Sequence, residues 1–149
     1  DVLGSRGLGD VYKRQRQGVR VCINIALVSY LCLGSAMILL SKQLADFMLD
    51  ESETIALSAE YLRICGTGLI LLNLLFIYRN ATQGMGYPLI PMLSGIAEMA
   101  LRIPAIIFLL PHIGFRATAY AEIIAWIGAL TLNVGAYMIN FRKANQSQT

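Results

Sequence analysis

Residues 21–40 read VCINIALVSYLCLGSAMILL, twenty positions without a charge. At about 1.5 Å per residue, a helix of that length reaches about 30 Å, the thickness of a hydrocarbon core. Arg16 and Arg20 stand just before it. So long an uncharged run predicts a membrane-spanning helix, and the composition of the whole chain agrees. The chain is 56% hydrophobic and 14% charged, with a mean hydropathy of +0.60. A water-soluble domain has about a quarter of its residues charged, so a soluble fold is a poor fit. The net charge of +3 is scattered, with no basic block interleaved with aromatics, and no nucleic-acid partner is expected. Cys22, Cys32 and Cys65 all lie inside apolar runs. An odd number without CxxC spacing or neighbouring histidines argues against a disulfide framework and against zinc, so they read as small packing residues.

Upstream of Arg16 the character changes. DVLGSRGLGDVYKRQ (residues 1–15) holds Gly4, Gly7 and Gly9, but a phosphate-binding loop would need a strand before it and a helix N-terminus after it. Ser5 to Gln15 looks like the frame translation of a transposase-type sequencing adapter. Residues 1–15 are therefore expected to be foreign to the fold, with the true N-terminus further upstream and the chain a fragment. A genomic reading frame continuous through Tyr12 would overturn that expectation.

Downstream, SKQLADFMLD (residues 41–50) is a short amphipathic connector with Leu44, Phe47 and Met48 on one side. It is expected to lie along the membrane interface. Asp50 and Glu53 have the spacing of a helix start. The second span is expected over 54–79. Its uncharged part, Ile64 to Tyr78, would reach only about 22 Å, so it must include the turns around Arg63, whose side chain can snorkel. Arg79 is expected to end it, followed by a tight turn, NATQGMGY (80–87), with Gly84 and Gly86 as candidate hinge residues. The third span runs over 88–111, IGFR (113–116) allows only a turn, and the fourth span covers 117–141. The tail 144–149, ANQSQT, is polar and expected to be disordered. The fold class that follows is all-α, a polytopic membrane bundle of four transmembrane helices over residues 16–143.

Basic residues suggest an orientation. With the N-terminus cytoplasmic, the inner ends carry Arg16, Arg20, Arg79, Arg142 and Lys143, against Lys42, Arg116 and Arg63 outside. That bias points to both ends inside.

The third span alone has charges near its middle. Glu98 and Arg102 are four apart with the acid first, the favourable order for a helical ion pair. Intramembrane charges are costly and often mark an ion or substrate path; because this pair is already matched within one helix, the reading as a structural clamp on neighbouring helices comes first. Asn73 and Asn133, within the second and fourth spans, are candidate members of a polar path, although asparagines in membranes more often bond between helices. Pro104 removes a backbone hydrogen bond and is a candidate kink. Ala121, Ala125 and Ala129, with Gly128 and Gly135 nearby, read as a packing face. Glu122 is expected at headgroup depth, solvated, and His112 at the outer surface. No nucleophile–base pair, carboxylate dyad or metal-ligand cluster is visible, so no catalytic residue, metal site or enzyme activity is expected.

The order of motifs resembles a known family. Basic residues precede the first span, an acidic connector leads to YLRI (61–64), and a span ends in QGMGYP (83–88). RIP (102–104) lies in the next span and AEIIAW (121–126) in the last. This series, over about residues 16–143, is similar to the end of multidrug and toxic compound extrusion (MATE) transporters. The resemblance implies a twelve-helix, two-lobe exporter that exchanges Na⁺ or H⁺ for amphipathic, drug-like compounds by alternating access, with no other cofactor. It further implies that the four spans are the last four helices of that exporter. Their partners would then be the lipid bilayer, a small-molecule substrate, the N-terminal lobe and the first two helices of the C-terminal lobe. The implied location is the bacterial inner membrane. The family's coupling acids lie largely on helices not represented here, so no coupling residue carries over, and the fragment alone is expected to be inactive. The alternative is a small four-helix membrane scaffold or oligomerising protein without transport.

Overall fold

A backbone that leaves water must close its hydrogen bonds within itself, and nearly every described residue of this chain is helical. The computed structural model describes the backbone of residues 2–146 and the side chains of residues 13–142. It contains α1 (Val2–Leu39), α2 (Ser41–Met48), α3 (Ser52–Gly84), α4 (Leu89–Ile113) and α5 (Arg116–Gln146), and no strand among the described residues. Four segments are long and apolar enough to cross a membrane: Lys13–Leu39, Ser52–Gly84, Leu89–Ile113 and Arg116–Arg142. The all-α, four-span architecture is therefore present.

Several boundaries differ from the sequence expectation, each for a local reason. α3 does not end at Arg79 but continues to Gly84, so the turn shrinks to Met85–Pro88. The backbone needs only one residue of left-handed conformation to reverse there, Gly86 at φ +86°. α3 opens at Ser52 with Glu51 as its extended N-cap, and Asp50 plays no capping role. Glu51 instead accepts a hydrogen bond from the Thr54 hydroxyl at 2.9 Å. At the other extreme α5 runs through Ala144, Asn145 and Gln146, half of the tail expected to be disordered; residues 147–149 lie outside the described range. α1 is continuous from Val2, so residues 2–15 join it as helix. Gln15 also touches the bundle, its Nε2 donating to the Ala81 carbonyl at 2.8 Å.

α3 packs between α1 and α5, α5 lies between α3 and α4, and α2 folds back on the start of α3. One end of the bundle gathers Gln15, the Met85–Pro88 turn and Phe141. The other gathers α2, Arg63 (whose Nε donates to Ser41 Oγ at 2.8 Å) and the Glu60–Arg116 ion pair at 2.7 Å. The α2 side chains Phe47 and Met48 are 90% and 81% exposed, while Ala45 packs against Ile55 and Ala59. The connector thus turns its apolar side outward, as an interfacial helix requires.

The packing is inverted relative to a soluble protein. Ala117, Ala119, Ala121, Ala125 and Ala129 are buried, and Leu75 is the only large apolar side chain among the described residues that is fully so. Leu31, Phe108 and Ile25 instead point outward. Apolar side chains gain nothing by leaving lipid, so small residues that let backbones close take the interface. α1 crosses α3 where Gly34 and Gly66 meet: a Cβ on either would lie 3.4 Å from the other's carbonyl oxygen. Gly128 makes room for the Leu101 side chain. Gly135 faces open space and takes no part in this packing. Cys65 is buried as expected, but Cys22 and Cys32 are exposed and so do not pack in the interior.

Candidate functional site

The charged pair of α4 belongs to a larger structure. Glu98 lies about 13 Å along α4 from Leu89, with Arg102 one turn beyond. Both carboxylate oxygens of Glu98 are occupied. Oε1 accepts from Arg102 Nη2 at 2.9 Å, the expected pair, and Oε2 accepts from Arg79 Nη2 of α3 at 3.1 Å. The same Arg102 nitrogen lies 2.7 Å from Oε2 of Glu122, on α5. Four alternating charges, Arg79–Glu98–Arg102–Glu122, therefore link three helices and sum to zero. Their side chains keep only 17–32% of their exposure. In so dry a setting each charge would be costly alone and is tolerated because its neighbour opposes it.

Two of these residues stand where the sequence reading did not put them. Arg79 does not end its helix, because α3 continues past it and turns it toward α4. Glu122 is not free in solvent; about 9 Å into α5 from Arg116, it holds Arg102. The signal that locates Arg79 is the hairpin itself. Arg79 precedes the Met85–Pro88 turn by as many residues as Ser94 follows it, and antiparallel helices bring such positions level.

Ser94 is indeed the next link. Its Oγ accepts from Arg79 Nη2 at 3.2 Å and from Asn133 Nδ2 of α5. Asn133, fully buried, also donates to the Ala129 carbonyl at 2.8 Å. Asn133 thus continues the Ala121–Ala125–Ala129 stripe and adds a polar contact to it. Of the four candidate path residues, the structure brings Glu98, Arg102 and Asn133 into one seam. Asn73 stays apart, and its Nδ2 is buried without a partner. Asn133 Oδ1 and the Nε atoms of Arg79 and Arg102 are likewise buried and unpartnered.

Of the candidate hinges, Gly86 alone has the positive φ that demands glycine; Gly84 is the last residue of α3, with nothing near its missing Cβ. Pro104 sits inside one continuous α4, on an exposed face. It withholds the donor that the Ala100 carbonyl would use. His112 is exposed, with Nδ1 2.9 Å from the Phe108 carbonyl. Among the described residues, no group of three or more His, Cys, Asp or Glu side chains is placed to hold a metal ion.

A helical bundle with a buried, neutral charge seam suits a transporter, and comparison with protein families decides which kind. The MatE family model matches residues 5–108. The chain belongs to the MatE family. That family comprises multidrug and toxic compound efflux transporters. The match takes in α1, α2, α3 and most of α4, and so includes Arg79, Ser94, Glu98 and Arg102. It begins inside residues 1–15, the stretch with the adapter-like reading. Comparison with curated proteins and with solved structures finds no match. The efflux membership accords with the motif order YLRI, QGMGYP and RIP, all of which fall within the matched range.

Proposed function

We propose that this MatE chain is the closing part of a cation-coupled antiporter. In this reading it helps export amphipathic, drug-like compounds by alternating access, driven by Na⁺ or H⁺. The chain works in a bacterial inner membrane with both ends cytoplasmic. It needs the preceding lobe and the first two helices of its own lobe to form a substrate cavity, so alone it does not transport.

Within that machine, the Arg79–Glu98–Arg102–Glu122 seam clamps α3, α4 and α5 into one body that moves as a unit. The observation that carries this reading is the occupancy of Glu98, with each carboxylate oxygen held by a guanidinium from a different helix. An incoming cation would have to displace an arginine. A second reading, an ion path along the seam, is favoured by the unpartnered buried acceptor Asn133 Oδ1. Such an atom costs free energy unless something visits it.

Glu98→Gln in the complete transporter separates the two. The clamp reading expects a loss of folded protein in the membrane. Normal insertion and stability with transport abolished would sink the clamp and favour the path. Expressed alone, the chain is expected to insert yet associate in detergent; a monodisperse four-helix monomer that binds Na⁺ would contradict its role as part of a larger transporter.

A further inference from the structure

At the Gln15–Met85 end of the bundle, a cleft of about 680 Å³ opens between α1, α3 and α5. Its polar rim is Arg16 and Arg20 from α1 and Arg142 from α5; Tyr78, Tyr137 and Phe141 line it beside them. No acid lines it. The three arginines are exposed and make no ion pair among the described residues. The aromatic wall is ordered by its own contacts: Tyr78 meets Tyr137 edge-on at 5.4 Å between ring centroids, and Tyr137 stacks on Phe141 at 5.9 Å. The Tyr137 hydroxyl is buried without a hydrogen-bond partner.

Three cations around one opening repel each other unless an anion sits between them. Guanidinium is suited to phosphate, which it can hold by two parallel hydrogen bonds. Below the rim the cleft is apolar, with Ile23 and Met138 on helix segments long and apolar enough to cross a membrane. A ligand matching both parts has a phosphate head and a hydrocarbon tail. We propose that this cleft binds the headgroup of an anionic phospholipid, its phosphate among Arg16, Arg20 and Arg142 and its chains along α1 and α5. Basic pockets between transmembrane helices take such headgroups by the same physics. The bound lipid pins α1 to α5, two helices that share few contacts of their own, and so closes this end of the bundle.

Native mass spectrometry of the complete transporter in detergent doped with equal phosphatidylglycerol and phosphatidylcholine tests this. Phosphatidylglycerol is expected to be retained with at least about a tenfold preference, since each arginine near the headgroup plane contributes several-fold before screening. The triple variant R16Q/R20Q/R142Q should lose that preference, while K42Q, at the opposite end, should keep it. If the triple variant does not fold, the three single variants carry the test, each expected to lose preference in part. Equal retention of the two lipids, or an equal loss in K42Q, overturns the proposal. Displacement of the lipid by millimolar glycerol 3-phosphate as readily as by phosphatidylglycerol would overturn the lipid assignment and leave a soluble phosphate as the ligand.

Discussion

Glu98 shows how one carboxylate can organise three helices. Substituting glutamine keeps its shape but removes the charge, leaving Arg79 and one face of Arg102 opposed by nothing. Breaking a buried pair from one side costs about 3 kcal/mol or more. The side chains here retain 17–32% exposure, so Glu98→Gln is expected to cost up to about 3 kcal/mol. Glu60→Gln is the control. Its pair with Arg116 is 37% and 59% exposed, and surface pairs contribute about 0–1 kcal/mol. Thermal midpoints of the two variants in one detergent check the order; equal midpoints would mean the seam contributes no more than a surface pair. Glu98 and Arg102 were legible as a pair because four-residue spacing is a local property of one helix. Arg79 and Glu122 were not, since their partners lie across turns whose lengths set the register. Ser94 drew no attention for the same reason: a serine in an apolar run acquires meaning only from what it faces.

At the scale of the helix, contact follows the glycines and alanines. Gly66 sits where α1 and α3 touch, with Ile38 and Met37 side chains at 3.0 and 3.2 Å from a notional Cβ. Gly84, on the same helix, faces open space. Gly66→Leu is therefore expected to push α1 off α3 at a cost of about 1–3 kcal/mol, the usual range for overpacking. Gly84→Leu should be neutral or slightly stabilising, because leucine is the better helix former. Denaturation in detergent distinguishes them, and similar behaviour of the two variants would place the α1–α3 crossing elsewhere. Gly86→Ala tests the turn. At φ +86° an L side chain costs about 1–2 kcal/mol, so the α3–α4 hairpin should loosen and bring Glu98 out of register with Arg79. The alanine stripe of α5 was readable from its four-residue spacing. The Gly34–Gly66 crossing was not, because neither glycine repeats at a helical interval within its own span.

For the molecule as a whole, the exposed apolar surface and the polar seam inside belong together: lipid takes the former and the bundle neutralises the latter. The short links Met85–Pro88 and Gly114–Phe115 make successive spans antiparallel, so α2 and Arg142 lie at opposite ends. Single cysteines at Lys42 and Arg142, in a background lacking Cys22, Cys32 and Cys65, are expected to react differently with a membrane-impermeant maleimide applied to intact cells. Lys42→Cys should label directly and Arg142→Cys only after permeabilisation. The reverse pattern would invert the orientation drawn from the basic residues. Sequencing the gene across Tyr12 settles the origin of residues 5–15, which lie within both α1 and the family match.

The sequence by itself determined that this chain spans a membrane four times as helix, because twenty uncharged residues have no other way to satisfy their backbone in lipid. It also supplied the motif order by which the efflux family was recognised. Only the tertiary structure decided what the intramembrane charges do. Opposite charges separated by a turn of unknown length can be solvated, snorkelled or paired, and the sequence pattern is the same in each case. Their pairing depends on the register of α3 against α4 and of α4 against α5. That register is set by where Gly86 and Gly114 reverse the chain and by how closely small side chains let the helices approach.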